Sequence, residues 1–557
     1  MRLLLVIMII NSAFAFLSAS AEKPADTVFL SGKVLTMDES GHILEAVAVK
    51  DGVIVFVGKN GGAEKFIGNE TRVIDLKGKL IMPGFIESHG HFYSTGQSLN
   101  ILDLVGTVSA EEIAGLVRDT AGSLPEGRWI IGRGWDQNDW KSREFPDHSI
   151  LDVAAPKNPV LLRRVDGHAV WVNSLVLTMA GITEETRNPS GGEILRDDSG
   201  HPTGIMIDNA INMINGIMPV PGTEEIIRDL VTAEKHCFSL GITSFHDMGI
   251  SPELIGTLKK LYSEGRLRIR LYEYLGSDEN GWKTEAANGP QIGMFDKRLT
   301  IRSVKAFIDG ALGSRGALLF EPYSDRQDTN GLQVTSDEEL MKVAKYCSEH
   351  NLQLAVHAIG DLGNHKVLDV YENVIGRDSE GKRRWRIEHV QILAQDDIPR
   401  FKKLGVVPSM QPVHCTSDMP WASDRIGKQR IAGAYAWRSL LDTGAIIPGG
   451  SDTPVEDADP ILGIYAAVTR QDRDGNPPGG WHPEQSVSRN EAIKMFTSWG
   501  AWAAFEEDYK GSIKPGYIAD LIVLDRDISN CEPEDIPKAK VIMTFLSGEL
   551  VYSIQEK

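Results

Sequence analysis

The chain is 557 residues long, too long for one ordinary core, so it predicts several domains or one large barrel with additions. Hydrophobic residues make up 42% and aromatics 7%, the balance of a globular protein rather than a disordered or fibrous one. A formal net charge of −19 argues against a nucleic-acid partner and against binding to anionic lipid.

The first 21 residues read as a secretory signal peptide. Arg2 gives a positive start, Leu3 to Ile10 form an apolar run, and Ala19-Ser20-Ala21 is a small-residue cleavage pattern before Glu22. This predicts an exported protein, periplasmic or secreted. An uncleaved anchor is the alternative, but the run is short for a span of about 20 apolar residues. No later stretch is long and apolar enough to span a membrane. Cys237, Cys347, Cys415 and Cys531 are far apart and form no metal-type pair. An exported chain permits disulfides, and four buried thiols are the plainer expectation.

Residues 22–83 read as β structure, with strands at Glu45 to Lys50 and Val53 to Gly58 around the hairpin dipeptide Asp51-Gly52. Residues 506–557 carry a second β block: Leu521 to Leu524, Lys540 to Leu546 and Glu549 to Tyr552. Two small terminal blocks predict one β-sandwich built from both chain ends. Between them, residues 84–505 alternate strands and helices, the pattern of an α/β fold and of a (β/α)8 TIM-like barrel. Helices are predicted over Ala110 to Ala121, Thr223 to Leu240, Ser336 to His350 and Arg489 to Phe496. Buried strands are predicted over Ile301 to Ile308, Gln353 to Val356 and Ala445 to Pro448. Residues ~100–220 do not alternate cleanly and read as an insertion after the first barrel strand.

Pro83-Gly84-Phe85-Ile86-Glu87-Ser88-His89-Gly90-His91 opens the barrel. Residues i and i+2 of a strand share a face, so His89 and His91 can aim both imidazoles at one divalent cation. The pair alone is a weak signal. His357 and His389 each close a predicted strand, and Asp452 follows Ile446-Ile447-Pro448. All are mouth positions in a barrel whose chemistry sits at the C-terminal strand ends. Taken singly, each also fits a structural histidine or a capping aspartate. Lys305 lies inside the apolar run Ile301 to Ile308, so it must be paired, neutralised or modified. An amine of lowered pKa can add carbon dioxide and become an anionic carbamate ligand. An ion pair with Asp309 or another acid is the competing expectation.

The order HxH, Lys, His, His, Asp resembles the amidohydrolase superfamily, and more closely its amidohydrolase-3 group, the YtcJ-like and N-substituted formamide deformylase-like proteins. The matching stretches are Met82-Pro83-Gly84-Phe85-Ile86, Arg164-Val165-Asp166-Gly167-His168-Ala169, Asp309-Gly310-Ala311-Leu312-Gly313-Ser314-Arg315, His357-Ala358-Ile359-Gly360-Asp361, Glu388-His389, Ser409-Met410-Gln411-Pro412, Gly450-Ser451-Asp452 and Lys514-Pro515-Gly516. The resemblance implies that His89, His91 and Asp452 hold the more buried metal. It implies that a carboxylated Lys305 bridges to a second metal on His357 and His389. One or two divalent ions, zinc by preference, are the expected cofactors. It also places His168 near the substrate, although a structural role in the insertion fits as well. Arg315 follows a barrel strand and meets either a substrate carboxylate or a neighbouring acid. His414 and Asp418 line the mouth or pack its loop.

The chemistry implied is hydrolysis of a small-molecule amide or formamide C–N bond, with Asp452 moving the proton. Cyclic amide opening, dipeptide cleavage and deamination are alternatives on the same scaffold. So is a catalytically silent metal- or ligand-binding barrel. A homodimer is compatible with the sequence.

Overall fold

A computed structural model describes residues 23–38, 43–137, 140–164, 169–189, 192–208, 210–218, 221–376 and 382–554. The signal-peptide assignment of residues 1–21 lies outside the described residues, as does His168.

Two sheets at the chain ends face each other. One is N-terminal, in the order Val53–Gly58, Ala46–Lys50, Thr27–Leu30, Arg72–Asp75. Its hairpin pairs Lys50 with Val53 across Asp51 and Gly52, whose φ values of 50° and 75° suit a tight two-residue turn. The other sheet joins the two ends of the chain. Leu521–Leu524 lies antiparallel to Leu80–Pro83, with Ile522 opposite Met82, and to Val541–Leu546. Alternate residues from both sheets meet between them, among them Phe29, Val47, Val49, Ile81, Leu521, Val523 and Phe545, all buried. Phe29 and Phe545 meet edge to face with ring centroids 5.0 Å apart.

Gly84 marks the passage from this sandwich into the barrel. A Cβ there would come within 2.3 Å of the Thr243 side chain, so only glycine lets the two strands approach. The barrel strands are β1 (Phe85–Gly90), β2 (Ile242–Ile250), β3 (Arg270–Gly276), β4 (Leu299–Phe307), β5 (Gln353–Ala358), β6 (Arg386–His389) and β7 (Val407–Ser409). Each pairs in parallel with the next, from β1 through β7.

The eighth place holds no regular strand. The expected strand Ala445 to Pro448 is an extended segment that bridges the gap through Met410 and Gly449. Ser88 N donates to Gly449 O at 3.1 Å, and Asp452 N donates to His89 O at 2.7 Å, which ties the segment to β1. A helix following β1, Phe92–Leu99, packs on Thr223–Ser239, the helix before β2.

Residues within the expected insertion form their own six-stranded sheet, running from Leu102–Asp103 at one edge to Gly192–Arg196 at the other. Trp135, Trp140 and Trp171 cluster in a core beside it. All four cysteines are free, and Cys237, Cys347 and Cys415 are buried. Among the described residues no helix is long and apolar enough to cross a membrane.

Candidate metal centre

β1 reads Phe85-Ile86-Glu87-Ser88-His89-Gly90 and is buried throughout. Its alternation sends Glu87 and His89 to the same side as His91, just beyond its end. Nitrogen or oxygen atoms of His89, His389 and Asp452 all lie within 4.8 Å of one another. Asp452 Oδ1 is 3.4 Å from His89 Nε2 and 3.2 Å from His91 Nε2. Lys305 reaches the same point from β4, with Nζ 3.5 Å from His89 Nε2. His357, at the end of β5, meets the ring of His389 edge to face with centroids 4.5 Å apart. Six of the sequence-predicted ligands therefore converge from β1, β4, β5, β6 and the eighth segment.

Partners outside the cluster set the tautomers. The Glu388 carboxylate can only accept, so the 2.6 Å contact from His89 Nδ1 to its Oε2 puts the proton on Nδ1. His89 Nε2 then presents its lone pair to the cluster. His389 Nδ1 likewise donates to Gln411 Oε1 at 2.8 Å. This arrangement, in which an outer acceptor fixes the ring of an inner ligand, is what a metal-binding histidine requires.

Burial works against the charge of Glu388, but Arg386, His89 and Lys305 outweigh it and hold the carboxyl below its ordinary range. Arg386 Nε lies 2.7 Å from Glu388 Oε1, while Nη2 donates to Ser88 O and Ser409 Oγ, both at 2.7 Å. One guanidinium thus ties β6 to β1 and β7.

Burial keeps the imidazoles of His357 and His389 neutral, moving His357 down to about 3 and His389 well below its ordinary value. Burial also lowers the Lys305 amine. For Asp452, burial disfavours the charge, yet the imidazoles of His89, His91 and His389 hold the carboxyl well below its ordinary range. His357 Nε2, His414 Nε2 and Asp452 Oδ1 are buried and have no hydrogen-bond partner. Neutral imidazoles with free nitrogens beside an ionised carboxylate fit a divalent cation of the zinc type.

The backbone is strained at this place. His389, Val390 and Asp452 sit at φ of 75°, 50° and 61°, a region non-glycine residues adopt at a cost of about 1–3 kcal/mol each. Gly450 is obligatory, because a Cβ there would lie 2.4 Å from Glu87 Oε1 and 2.6 Å from His89 N. Glu87 accepts from His89 N and from Ser451 N and Oγ, and burial pushes its carboxyl up to about 8.

The other sequence-predicted residues fall in different places. His414 stands at the rim, with Nε2 3.8 Å from Asp452 Oδ2 and its ring 5.8 Å from that of His389. Asp418, at the far end of the helix Pro412–Asp418, accepts from Tyr435 OH. Arg315 is engaged by Asp325, at 2.8 Å and 3.2 Å, outside the cluster. Asp309 makes no pair with Lys305. It accepts from the backbone N–H of Leu318, Ile359 and Gly360, and Oδ1 lies 3.6 Å from His357 Nε2.

Sequence reasoning did not single out Glu388, Arg386, Gln411 or Glu87. Ile387-Glu388-His389 held a signal: a carboxylate beside a strand-end histidine and two residues from an arginine, inside a buried run.

Comparisons with known proteins agree with this geometry. A family model described as "Amidohydrolase family" matches residues 72–552. YtcJ of Bacillus subtilis is 34% identical over 533 residues, covering 94% of this chain and 99% of that protein. The N-substituted formamide deformylase of Arthrobacter pascens is 26% identical over 542 residues, covering 95% of this chain and 98% of that protein. The crystal structure of a metal-dependent hydrolase from Pyrococcus furiosus superimposes with a TM-score of 0.76 at 31% identity, covering 90% of this chain and all of that one. With its barrel, its converging histidines and these matches over nearly the whole length, the chain belongs to the amidohydrolase family and is a metal-dependent hydrolase.

Proposed function

We propose that the protein hydrolyses a non-peptide C–N bond, an amide or formamide of a small molecule, with Asp452 as the proton carrier. The observation that carries this reading is the convergence of His89, His389 and Asp452 around one point, with the Lys305 amine beside them. The likeness to a formamide deformylase over 95% of the chain supports the bond type.

His89, His91 and Asp452 would hold one divalent cation, zinc by ligand type, and His357 and His389 a second. Lys305 would serve both as a carbamate, a role supported by its burial and lowered basicity. When bound, such cations supply Lewis acidity toward a substrate carbonyl and lower the pKa of water. Asp452, kept ionised by its imidazole neighbours, takes the proton from the attacking water at a carboxylate oxygen and gives it to the leaving nitrogen. Proton and bond balance gives a carboxylic acid, or formate, and an amine. The buried walls of β1, β5 and β6 limit water to the mouth, where the 33%-exposed His91 side chain meets solvent. Export is part of the same reading and rests on Leu3 to Ile10 and Ala19-Ser20-Ala21.

The test is amine release from a panel of N-formyl and N-acetyl alkylamines by the zinc-loaded enzyme. Turnover that disappears in Asp452→Asn is expected. Release of ammonia from aminopurines with no amide turnover would replace this reading by deamination.

A further inference from the structure

A cavity of about 620 Å³ opens beside the metal centre and has His91 in its wall. Part of its lining is apolar, with Ile250 and Leu254. Three carboxylates line it: Asp247 in the C-terminal half of β2, Glu253 in the first turn of the helix Pro252–Ser263, and Glu279 just after β3. Among the described residues no lysine or arginine lines it. None of the three acids has an ion-pair partner among the described residues.

The electrostatic imbalance continues behind the wall. Asp247 is 95% buried and stands opposite Glu273 on β3 in the strand register. Asp247 Oδ1 accepts from Phe92 N at 2.9 Å. Glu273 is fully buried beside it, and its carboxyl meets no cation. Two adjacent buried carboxyls with no lysine or arginine beside them are costly, and one backbone N–H offsets only part of their desolvation. On the other side of that wall the Lys305 side chain packs against Gly249, so cavity and reaction centre adjoin.

We infer that this cavity receives the amine half of the substrate and selects one that carries a second, protonated amino group. The substrate class is then an N-acylated diamine. Its acyl carbonyl lies at the metal centre, its methylene chain lies along Ile250 and Leu254, and its ammonium end lies among Asp247, Glu253 and Glu279. This inference rests on the C–N hydrolase reading above. The acids exclude substrates with an anionic tail by the same charge.

The test compares the zinc-loaded full chain on four compounds: the N-formyl and N-acetyl derivatives of 1,5-diaminopentane and of pentylamine, which share a length and differ in the terminal charge. Amine release is the readout. The expected kcat/KM for the charged member of a pair is at least about tenfold that of its neutral partner, carried mainly by KM and shrinking with added salt. In Glu253→Gln/Glu279→Gln, two surface-side changes that leave the core intact, the charged-to-neutral ratio falls toward one. A wild-type ratio of one or less, with amine still released, overturns the cation selection and leaves the hydrolase reading standing. An unchanged ratio in the double variant also overturns it. No amine from any of the four compounds overturns the hydrolase reading, and this inference with it.

Discussion

At the scale of the residue, one carboxylate holds the account together. Asp452 touches His89 and His91, and it stays ionised because three imidazoles outweigh its burial. Asp452→Asn keeps the size and the backbone position but cannot accept the proton. Turnover is expected to fall about a thousandfold or more, with circular dichroism and melting behaviour close to wild type. Wild-type rates in that variant would remove Asp452 from the proton path. Lys305 gives a second test. Lys305→Ala is expected to lower the bound metal, and added acetate or propionate is expected to restore part of it and of the activity. Metal content equal to wild type would show that the amine is not a ligand precursor.

Much of this residue-level picture was legible in the sequence. His89, His91, His357, His389 and Asp452 each end a strand-like run, and strand ends are where a barrel gathers its chemistry. The partners were less legible. Glu388 meets His89 across 299 positions of sequence, and Arg386 meets Ser88 across 298. Such contacts depend on the register of closed β strands, which a local pattern does not reveal. Arg315 meets Asp325, an acid ten residues further along a chain reversal, a contact that no local pattern reveals.

At the scale of the element, the helices were read closely. Ala110 to Ala121 is Ala110–Ser123, and Thr223 to Leu240 is Thr223–Ser239. Amphipathic spacing and caps such as Ser109, whose side chain accepts from Glu112 N, mark them clearly. The eighth barrel segment was misread as a strand. Gly449 and Gly450 bring its backbone against Glu87 and His89, and Asp452 then turns into a left-handed conformation, so no regular ladder forms.

The strands are joined by the Arg386–Glu388 pair. Glu388→Gln leaves Arg386 buried without its counter-charge and is expected to destabilise the fold by about 3–5 kcal/mol, measured by urea denaturation. Metal affinity is expected to drop about 10- to 100-fold, because His89 loses the carboxylate that orients it. No change in either quantity would contradict the assigned role.

A second element-scale prediction concerns pH. Asp459 caps the helix Pro460–Thr469, accepting from Ile461 N at 2.9 Å, and burial pushes its carboxyl up to about 6. Its ordinary value is near 4. Between those values the unfolded chain gives up this proton while the folded chain keeps it. The contribution of Asp459 to stability is therefore full below about pH 4 and is lost as pH rises through about 6. In Asp459→Asn, which can still cap, the stability profile from pH 4 to 7 is expected to flatten. An identical profile would show that the group titrates normally.

At the scale of the whole molecule, the N- and C-terminal β blocks fold together beside the barrel. Leu80–Pro83 pairs with Leu521–Leu524, so the residues just before β1 are anchored by the C-terminal block. The buried ion pair of Arg270 and Asp520, at 2.6 Å, ties β3 to the same block. The pairing of the terminal blocks could be read from two runs of alternating residues. The six-stranded sheet within residues ~100–220 could not, because its strands are short and alternate irregularly with Trp-, Arg- and Gly-rich loops.

The central claim is that the histidine cluster is a metal centre. It is tested most directly by elemental analysis of the purified wild-type chain. At least one equivalent of divalent metal per chain is expected, with hydrolysis lost on chelation and regained on adding zinc. A chain that is free of metal and yet hydrolyses its substrate at full rate would contradict it.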